Sequence, residues 1–525
     1  MTEHFKKHWQ ADPFLMIGGE VHNSNSSTTE AMEPAWRKAD ELGLNTVLAP
    51  VSWEMLEPEE DRFDFAAVDS LLAGARTHGK RLVLLWFGAW KNAQCSYAPP
   101  WVKQDTARFW RAEVKKGQRK TKLEAFHDMP YTTLSYLCEA TTRADARAFA
   151  ALMAHLRQTD AAQKTVYMIQ VENETGLQGA AREQSDVADA VFAADVDPGL
   201  IAHLKQNTAE MAPDLRSAVH AAPDAGNWQA VFGPVAEEVF SAYHIARHVQ
   251  AVAEAGLAEY DLPLAVNCWL DKGESPGLYP SGGPVARMME VWQYAAPAID
   301  VYAPDIYVHD FCHVCDAYTK RGNPLFIPET ATHSHAAPRL VYTVGHFHAV
   351  GYCPFGFEDM GGTFSDMAGV LFGIDTSDPL LSTVQDVGEY AWYARTLGAL
   401  APLLTARYGT GKLQAVIHER PLDTVMRFAQ FGFAVTMHSP LVPRQDGVCL
   451  ALELSPDTFY LIACGCVVTP FSTQSEKPHT DYLCVEEGVH AAGHWQPTRR
   501  LNGDETATLR FHTPTMLRLK LLAYG

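Results

Sequence analysis

Short apolar runs alternate through most of the chain with segments whose apolar residues recur at helical spacing. The runs fall at 14–17, 45–49, 81–87, 166–171, 264–269, 300–307, 325–329 and 349–358. Runs of this length, with no period-two alternation, predict strands buried on both faces. Between them, 32–42 carries Pro34 in a first helical turn and Gly43 as a C-cap. Val68, Leu71, Leu72 and Ala75 mark a second helix closed by Gly79, and Phe149, Leu152, Met153 and Leu156 mark another. Further helices are expected at about 235–257 and after Pro284, with Met288, Val291 and Trp292 on one face. Eight strands, most followed by a helix, predict an α/β fold: a (β/α)8 TIM barrel over 1–404. Long insertions interrupt it at 93–140 and 177–228, the second read as partly helical. The first is too long for a plain connection, so it is expected to cover a pocket with Tyr97, Trp101, Trp110 and Tyr131.

Beyond 404 the pattern changes. LQAVIHE, VMRFAQF, VCLALEL, FYLIACGCVV and MLRLKLLAY are separated by Pro, Asp, Gly and Ser clusters, with little helical periodicity. This predicts a small antiparallel β-sandwich-like domain over 405–525.

Composition narrows the class. A net charge of −20 disfavours binding to nucleic acid or an anionic membrane. Charges stand at the N-terminus where a signal peptide needs an apolar core, and no run approaches the ~18 apolar residues of a membrane span. Ten cysteines are scattered, several inside apolar strands, which reads as buried thiols in a reducing, cytoplasmic setting. Cys312-His313-Val314-Cys315, with His309 nearby, lacks a second ligand pair and is read the same way. No metal and no cofactor are expected, and self-association into a homo-oligomer is left open.

The chemistry is concentrated at strand ends. The run at 166–171 stops abruptly in Glu172, Asn173 and Glu174, with Gly176 as a chain breaker. The run at 325–328 delivers Glu329. Charged groups at the ends of dry parallel strands mark a site, and two carboxylates there suit glycoside hydrolysis. Other polar residues at predicted strand ends are Glu20, His22, Asn23, Glu54, Lys91, Asn92, Tyr307 and Glu358. Carboxylates dominate, as an oxocarbenium-like transition state favours. The residues alone do not choose between Glu172 and Glu174, because strand ends often lose their regular alternation.

QVENETG resembles the Q-[IV]-E-N-E-[YT]-G motif of glycoside hydrolase family 35 β-galactosidases. GGEVHNS, VSWEMLEPEEDRFDF, WFGAWKN, PLFIPE and FGFE resemble the bacterial branch of that family, which adds a small C-terminal β domain. The resemblance implies a retaining, exo-acting enzyme that removes terminal β-galactosyl residues from an oligosaccharide or glycoside. It implies Glu174 as acid/base, Glu329 as nucleophile, Asn173 on the sugar 2-hydroxyl and Tyr307 against the nucleophile. Trp90, Lys91, Asn92 and Trp269 would lie near the terminal sugar. Thr175 departs from the Tyr frequent in the motif. The alternatives are a β-glucosidase or transglycosylase of the same clan, or a non-catalytic carbohydrate-binding barrel.

Overall fold

A computed structural model describes residues 1–114, 132–308, 310–362, 383–422, 424–444 and 446–525. Tyr131 and His309 lie outside the described residues. Eight parallel strands follow one another around a single sheet: β1 Met16–Glu20, β2 Thr46–Ser52, β3 Arg81–Phe87, β4 Val166–Val171, β5 Leu264–Trp269, β6 Val301–Asp305, β7 Phe326–Ile327 and β8 Gly351–Tyr352. Their order is β6-β5-β4-β3-β2-β1-β8-β7. The remaining gap is closed by a parallel bridge between Ile306 and Thr330, where Ile306 N donates to Glu329 O at 2.9 Å. The fold is therefore a TIM barrel, as the alternation predicts.

Every barrel strand is buried on both faces, which is why the sequence shows runs rather than alternation. Val83, Leu85 and Phe87 of β3 join Met16, Leu48, Met168, Ala303 and Phe326 inside the barrel. Leu82, Leu84 and Trp86 face the surrounding helices instead. The sequence reading set β1 too early and drew β7 and β8 too long, because apolar content continues past the last ladder bond. It also missed the helix Glu3–Ala11, whose polar sequence hides a plug: Phe5 is buried in the cluster that fills the barrel. That helix starts at Thr2, whose hydroxyl accepts from Phe5 N at 3.0 Å. Within 177–228, helices occupy Asp186–Ala193, Pro198–Gln206 and Pro213–Ala221.

The helix Val387–Thr405 leads into antiparallel sheets. Strands β9 Leu413–Ile417, β10 Val425–Arg427, β11 Phe431–Met437, β12 Val448–Ser455, β13 Thr458–Cys464, β14 Cys466–Ser472, β15 His479–Ala491, β16 His494–Arg500, β17 Leu509–Phe511 and β18 Thr515–Tyr524 follow. They form a four-stranded sheet, β10-β11-β14-β17, and a six-stranded sheet, β16-β15-β18-β13-β12-β9. Phe433, Phe459, Cys449, Ala451 and Leu461 pack between the two. The other face of β12 and β13, with Leu450, Leu452 and Ile462, packs with the barrel core. One sheet thus serves two interfaces, which explains its uninterrupted apolar runs.

The contact with the barrel is fastened by a buried ion pair. Arg339, in the helix Ala336–Tyr342 after β7, donates to both oxygens of Glu419 at 2.8 and 3.0 Å. His335 Nδ1 lies 3.3 Å from the same carboxylate. His418 turns Nδ1 to Gly447 O at 3.1 Å, and burial holds its pKa down at about 4. Arg339 is only 2% exposed, so Glu419→Ala would leave a guanidinium buried without its partner, at a cost of about 3–5 kcal/mol. Urea unfolding should register that loss. The unfolded chain protonates His418 near its ordinary 6.5, the folded chain only near 4. Stability should therefore fall as pH drops from 6.5 to 4, by roughly 3 kcal/mol from this group. His418→Gln should flatten the unfolding midpoint against pH across that window; an unchanged slope would exclude His418 as a source.

Candidate active site

The end of β4 shows why its two glutamates part company. Glu172 has φ 63° and Glu174 φ 46°, left-handed values that side-chain-bearing residues adopt only when surrounding contacts impose them. Ala93 N donates to Glu174 O at 3.0 Å, and Glu174 N donates to Asn267 Oδ1 at 2.9 Å. Gly176 then leaves along a path closed to any side chain, since a Cβ there would lie 2.4 Å from Cβ of Pro280. Two left-handed residues break the alternation, so Glu172 and Glu174 do not share a face.

Glu172 turns into the barrel wall. It accepts from Trp90 N at 2.7 Å and clusters with Asp145 and His248, one polar atom of each within 4.8 Å of the others. Asp145 accepts from Trp86 Nε1 at 2.8 Å and pairs with His248 Nε2 at 3.1 Å. All three are buried, and burial followed by the charge of Asp145 raises the Glu172 carboxyl well above its usual range.

Glu174 enters the mouth of the barrel. One carboxylate oxygen each of Glu174, Asp305 and Glu329 lies within 4.8 Å of the others. Tyr307 donates its hydroxyl to Glu329 Oε2 at 2.8 Å. Asn173 Nδ2 and Asn267 Nδ2 each reach Glu329 Oε1 at 3.4 Å, and Asn267 Nδ2 also donates to Asp305 Oδ2 at 2.8 Å. Lys91 Nζ donates to Asn173 Oδ1 at 2.9 Å and sits 4.9 Å from the centre of the Phe87 ring. The Glu329 oxygens are thus engaged by amide and hydroxyl donors, an arrangement for an oriented carboxylate rather than a cation cage.

Burial pushes Glu174 up to about 7, with the charge of Glu329 adding to it. Lys91 and then the neighbouring Asp305 carboxyl act in the opposite direction. Asp305 and Glu20 stand well above the carboxylate range, from burial first and Glu329 next. Tyr307 is raised by burial and by Glu329.

The structure gathers Glu174, Glu329, Asn173, Lys91 and Tyr307 in one network, with Glu20 beside it. Glu20 is fully buried at the end of β1. Trp269, at the end of β5, is half-buried. Asn92 occupies a left-handed turn at φ 53°. Glu358 accepts from His22 N at 2.8 Å and Asn25 Nδ2 at 2.7 Å, tying down the chain after β1. Three more of the expected residues make contacts away from the carboxylate cluster. Trp90 is buried with its ring edge against His248, 4.8 Å between centroids, because its backbone is drawn to Glu172. Glu54, half-buried in the short helix that continues from β2, pairs with Lys103 at 3.5 Å. Trp101 packs edge-on against Trp53 and donates to Glu57 O at 3.0 Å, which makes it wall rather than pocket lining. Cys312 and Cys315 are buried thiols in the helix Phe311–Tyr318.

Asn267 and Asp305 are the residues that strand-end reasoning missed. A signal existed: each is a polar interruption two positions before a chosen residue, Trp269 or Tyr307, and so shares its face.

Residues 22–194 match the family model described as Beta-galactosidase (Glyco_hydro_42), and residues 393–513 match a Domain of unknown function (DUF5597). Part of the barrel, less than half of the chain, is thus similar to a β-galactosidase family model, and that model is not the one of family 35. Similar solved structures include a β-galactosidase from Bacillus circulans sp. alkalophilus, 10% identical, with 97% of this chain and 99% of that one covered and a TM-score of 0.46. A β-galactosidase from the psychrophilic Marinomonas ef1 is 11% identical over 75% of this chain and 62% of that one, with a TM-score of 0.47. The catalytic domain of a β-amylase from Paenibacillus polymyxa is 12% identical over 69% and 99%, with a TM-score of 0.44. No curated protein matches the chain.

The electrostatics predict a coupled titration. Carbon-13 NMR of labelled glutamate should show Glu174 titrating near pH 7, and its midpoint should fall in Glu329→Gln, which removes the neighbouring charge. A midpoint unmoved by that substitution would mean that the two carboxyls do not sense each other.

Proposed function

We propose that this chain is a retaining, exo-acting β-galactosidase with a family 35-like active site, cleaving terminal β-galactosides by double displacement. The observation that carries the mechanism is the separation of the two carboxylates, whose oxygens approach within 4.8 Å. Retaining glycosidases hold their pair about 5–5.5 Å apart, whereas inverting ones leave roughly 6.5–9.5 Å for a water. The motifs QVENETG and PLFIPE and the matched β-galactosidase model support the substrate class.

In this reading Glu329 attacks the anomeric carbon, with Tyr307, Asn173 and Asn267 aiming its carboxylate. The glycosidic C–O bond breaks, and its oxygen takes the proton of Glu174, which burial and Glu329 keep protonated up to about pH 7. Asn173 takes the sugar 2-hydroxyl, its own carbonyl oxygen being polarised by Lys91. Glu329 is then a neutral ester, so the Glu174 carboxyl loses the neighbour that raised its pKa and acts as base. Water gives its proton to Glu174 and its oxygen to the anomeric carbon, releasing Glu329 and a sugar of retained configuration.

Among aryl β-galactoside, β-glucoside, β-fucoside and α-arabinoside, the galactoside should give the highest kcat/KM. A preference for the glucoside would replace the substrate assignment without touching the mechanism. Glu329→Gln should abolish turnover on every substrate. Glu174→Ala should slow hydrolysis by at least about a hundredfold and be rescued by azide on an aryl galactoside, giving the β-glycosyl azide. The α-azide would exchange the two roles, and full activity in both variants would place the chemistry elsewhere.

A further inference from the structure

Three carboxyl groups meet at the mouth, yet the double displacement uses only two. Glu174, Asp305 and Glu329 are 6%, 3% and 5% exposed, and an oxygen of each lies within 4.8 Å of the other two. Three adjacent buried charges of one sign are not sustained, so protons must be distributed among them.

Hydrogen-bond accounting assigns one of those protons. Asn267 Oδ1 is taken by Glu174 N, which fixes the orientation of its amide. Its Nδ2 therefore donates to Asp305 Oδ2 at 2.8 Å. Asp305 Oδ1 is buried, and no donor among the described residues reaches it. Near it lies the Glu174 carboxyl, an oxygen of which is within 4.8 Å of an Asp305 oxygen. Ionised carboxylates only accept, so a hydrogen bond can join these two groups only if one of them carries a proton.

We propose that Asp305 is held as a neutral acid whose proton is donated to Glu174, positioning that carboxyl and supporting it while it carries charge. The proposal rests on reading Glu174 as the acid/base and adds a group that this reading does not require. The surroundings agree. Facing Asp305 are Glu174 from β4, Glu329 from β7, Glu20 from β1 and Cys268 from β5, with Tyr307 following on its own strand and Tyr318 behind. The cations of this region, Lys91 and Lys272, act on Glu174. Burial and the neighbouring carboxylates keep Asp305 well above the usual range. A carboxylic acid kept neutral in this way serves as a hydrogen-bond donor. The proton given to the leaving oxygen is that of Glu174, and the water of the second step replaces it. Asp305 keeps its own proton throughout and acts only by steadying the Glu174 carboxylate between the two steps.

The pH profile of kcat/KM distinguishes a neutral from an ionised Asp305, because the alkaline limb reports Glu174. If Asp305 is neutral, D305N substitutes one uncharged donor for another. The limb should then stay in place and kcat should fall less than about tenfold, the scale of one altered hydrogen bond. D305A removes the donor, so the limb should move to higher pH and deglycosylation should slow more than glycosylation. If Asp305 is ionised, D305N deletes a negative charge beside Glu174 and the limb should move down by about one unit or more, which overturns the proposal. An infrared difference spectrum, wild type minus D305N at a pH above the Glu174 midpoint, gives a readout independent of turnover. A neutral carboxylic C=O band is expected, and its absence overturns the proposal even if D305A fails to fold. Loss of azide rescue in Glu174→Ala would instead refute the acid/base reading, while the infrared band would still report the state of Asp305.

Discussion

The constraint on which this molecule turns is the crowding of carboxyl groups in a dry barrel mouth. Two full charges 4.8 Å apart repel by roughly 3 kcal/mol even at an effective dielectric of about 20. Glu174, Glu329 and Asp305 therefore cannot be treated as independent acids, and Glu20 adds to the same field. Opposing this repulsion are Tyr307, Asn173 and Asn267, all directed at Glu329, and the ammonium of Lys91 behind Asn173. The outcome is a division of roles. Glu329 meets the hydroxyl and amide donors, while burial raises the carboxyls of Glu174, Asp305 and Glu20 around it.

That division requires accurate placement, and the strand holding Glu329 is poorly equipped to supply it. β7 has only two residues in the ladder. Its position is secured from outside: the bridge between Ile306 and Thr330 joins it to β6, and the helix after it is fastened to the second sheet system by Arg339 and Glu419. Gly345 lets the barrel approach that sheet closely, since a Cβ there would lie 2.6 Å from Cβ of Ala415. The C-terminal sheets thus brace the segment that follows the strand carrying Glu329. On the opposite side, the Glu172–Asp145–His248 cluster braces β4 from within the wall.

Much of the architecture was legible in the chain itself, because its signals are local. Strands buried on both faces must be written as unbroken apolar runs, and helices between them as periodic ones, so the barrel could be read by counting. The change to short strands and turn residues after 404 announced the second sheet system for the same reason. A dry strand ending in E-N-E-T-G and another ending in Glu329 pointed to a candidate site, since charge is costly at such ends unless something there uses it.

What the tertiary structure decided is where each side chain points once regular geometry stops. Glu172 and Glu174 are equivalent by spacing, and only the left-handed turns at both, held by Ala93 and Asn267 from other strands, send one into the wall and the other into the mouth. Trp90 and Glu54 stand at strand ends as expected, and only the fold shows that Glu172 holds the Trp90 backbone and that Lys103 pairs with Glu54. Asn267 and Asp305 are single polar residues in apolar runs, and closure of the barrel sets them against Glu174 and Glu329. The sequence by itself determined burial and the carboxylate-bearing strand ends, which depend on local composition. The protonation pattern and the orientation of the site depend on groups that meet only across the closed barrel, and no stretch of sequence contains them.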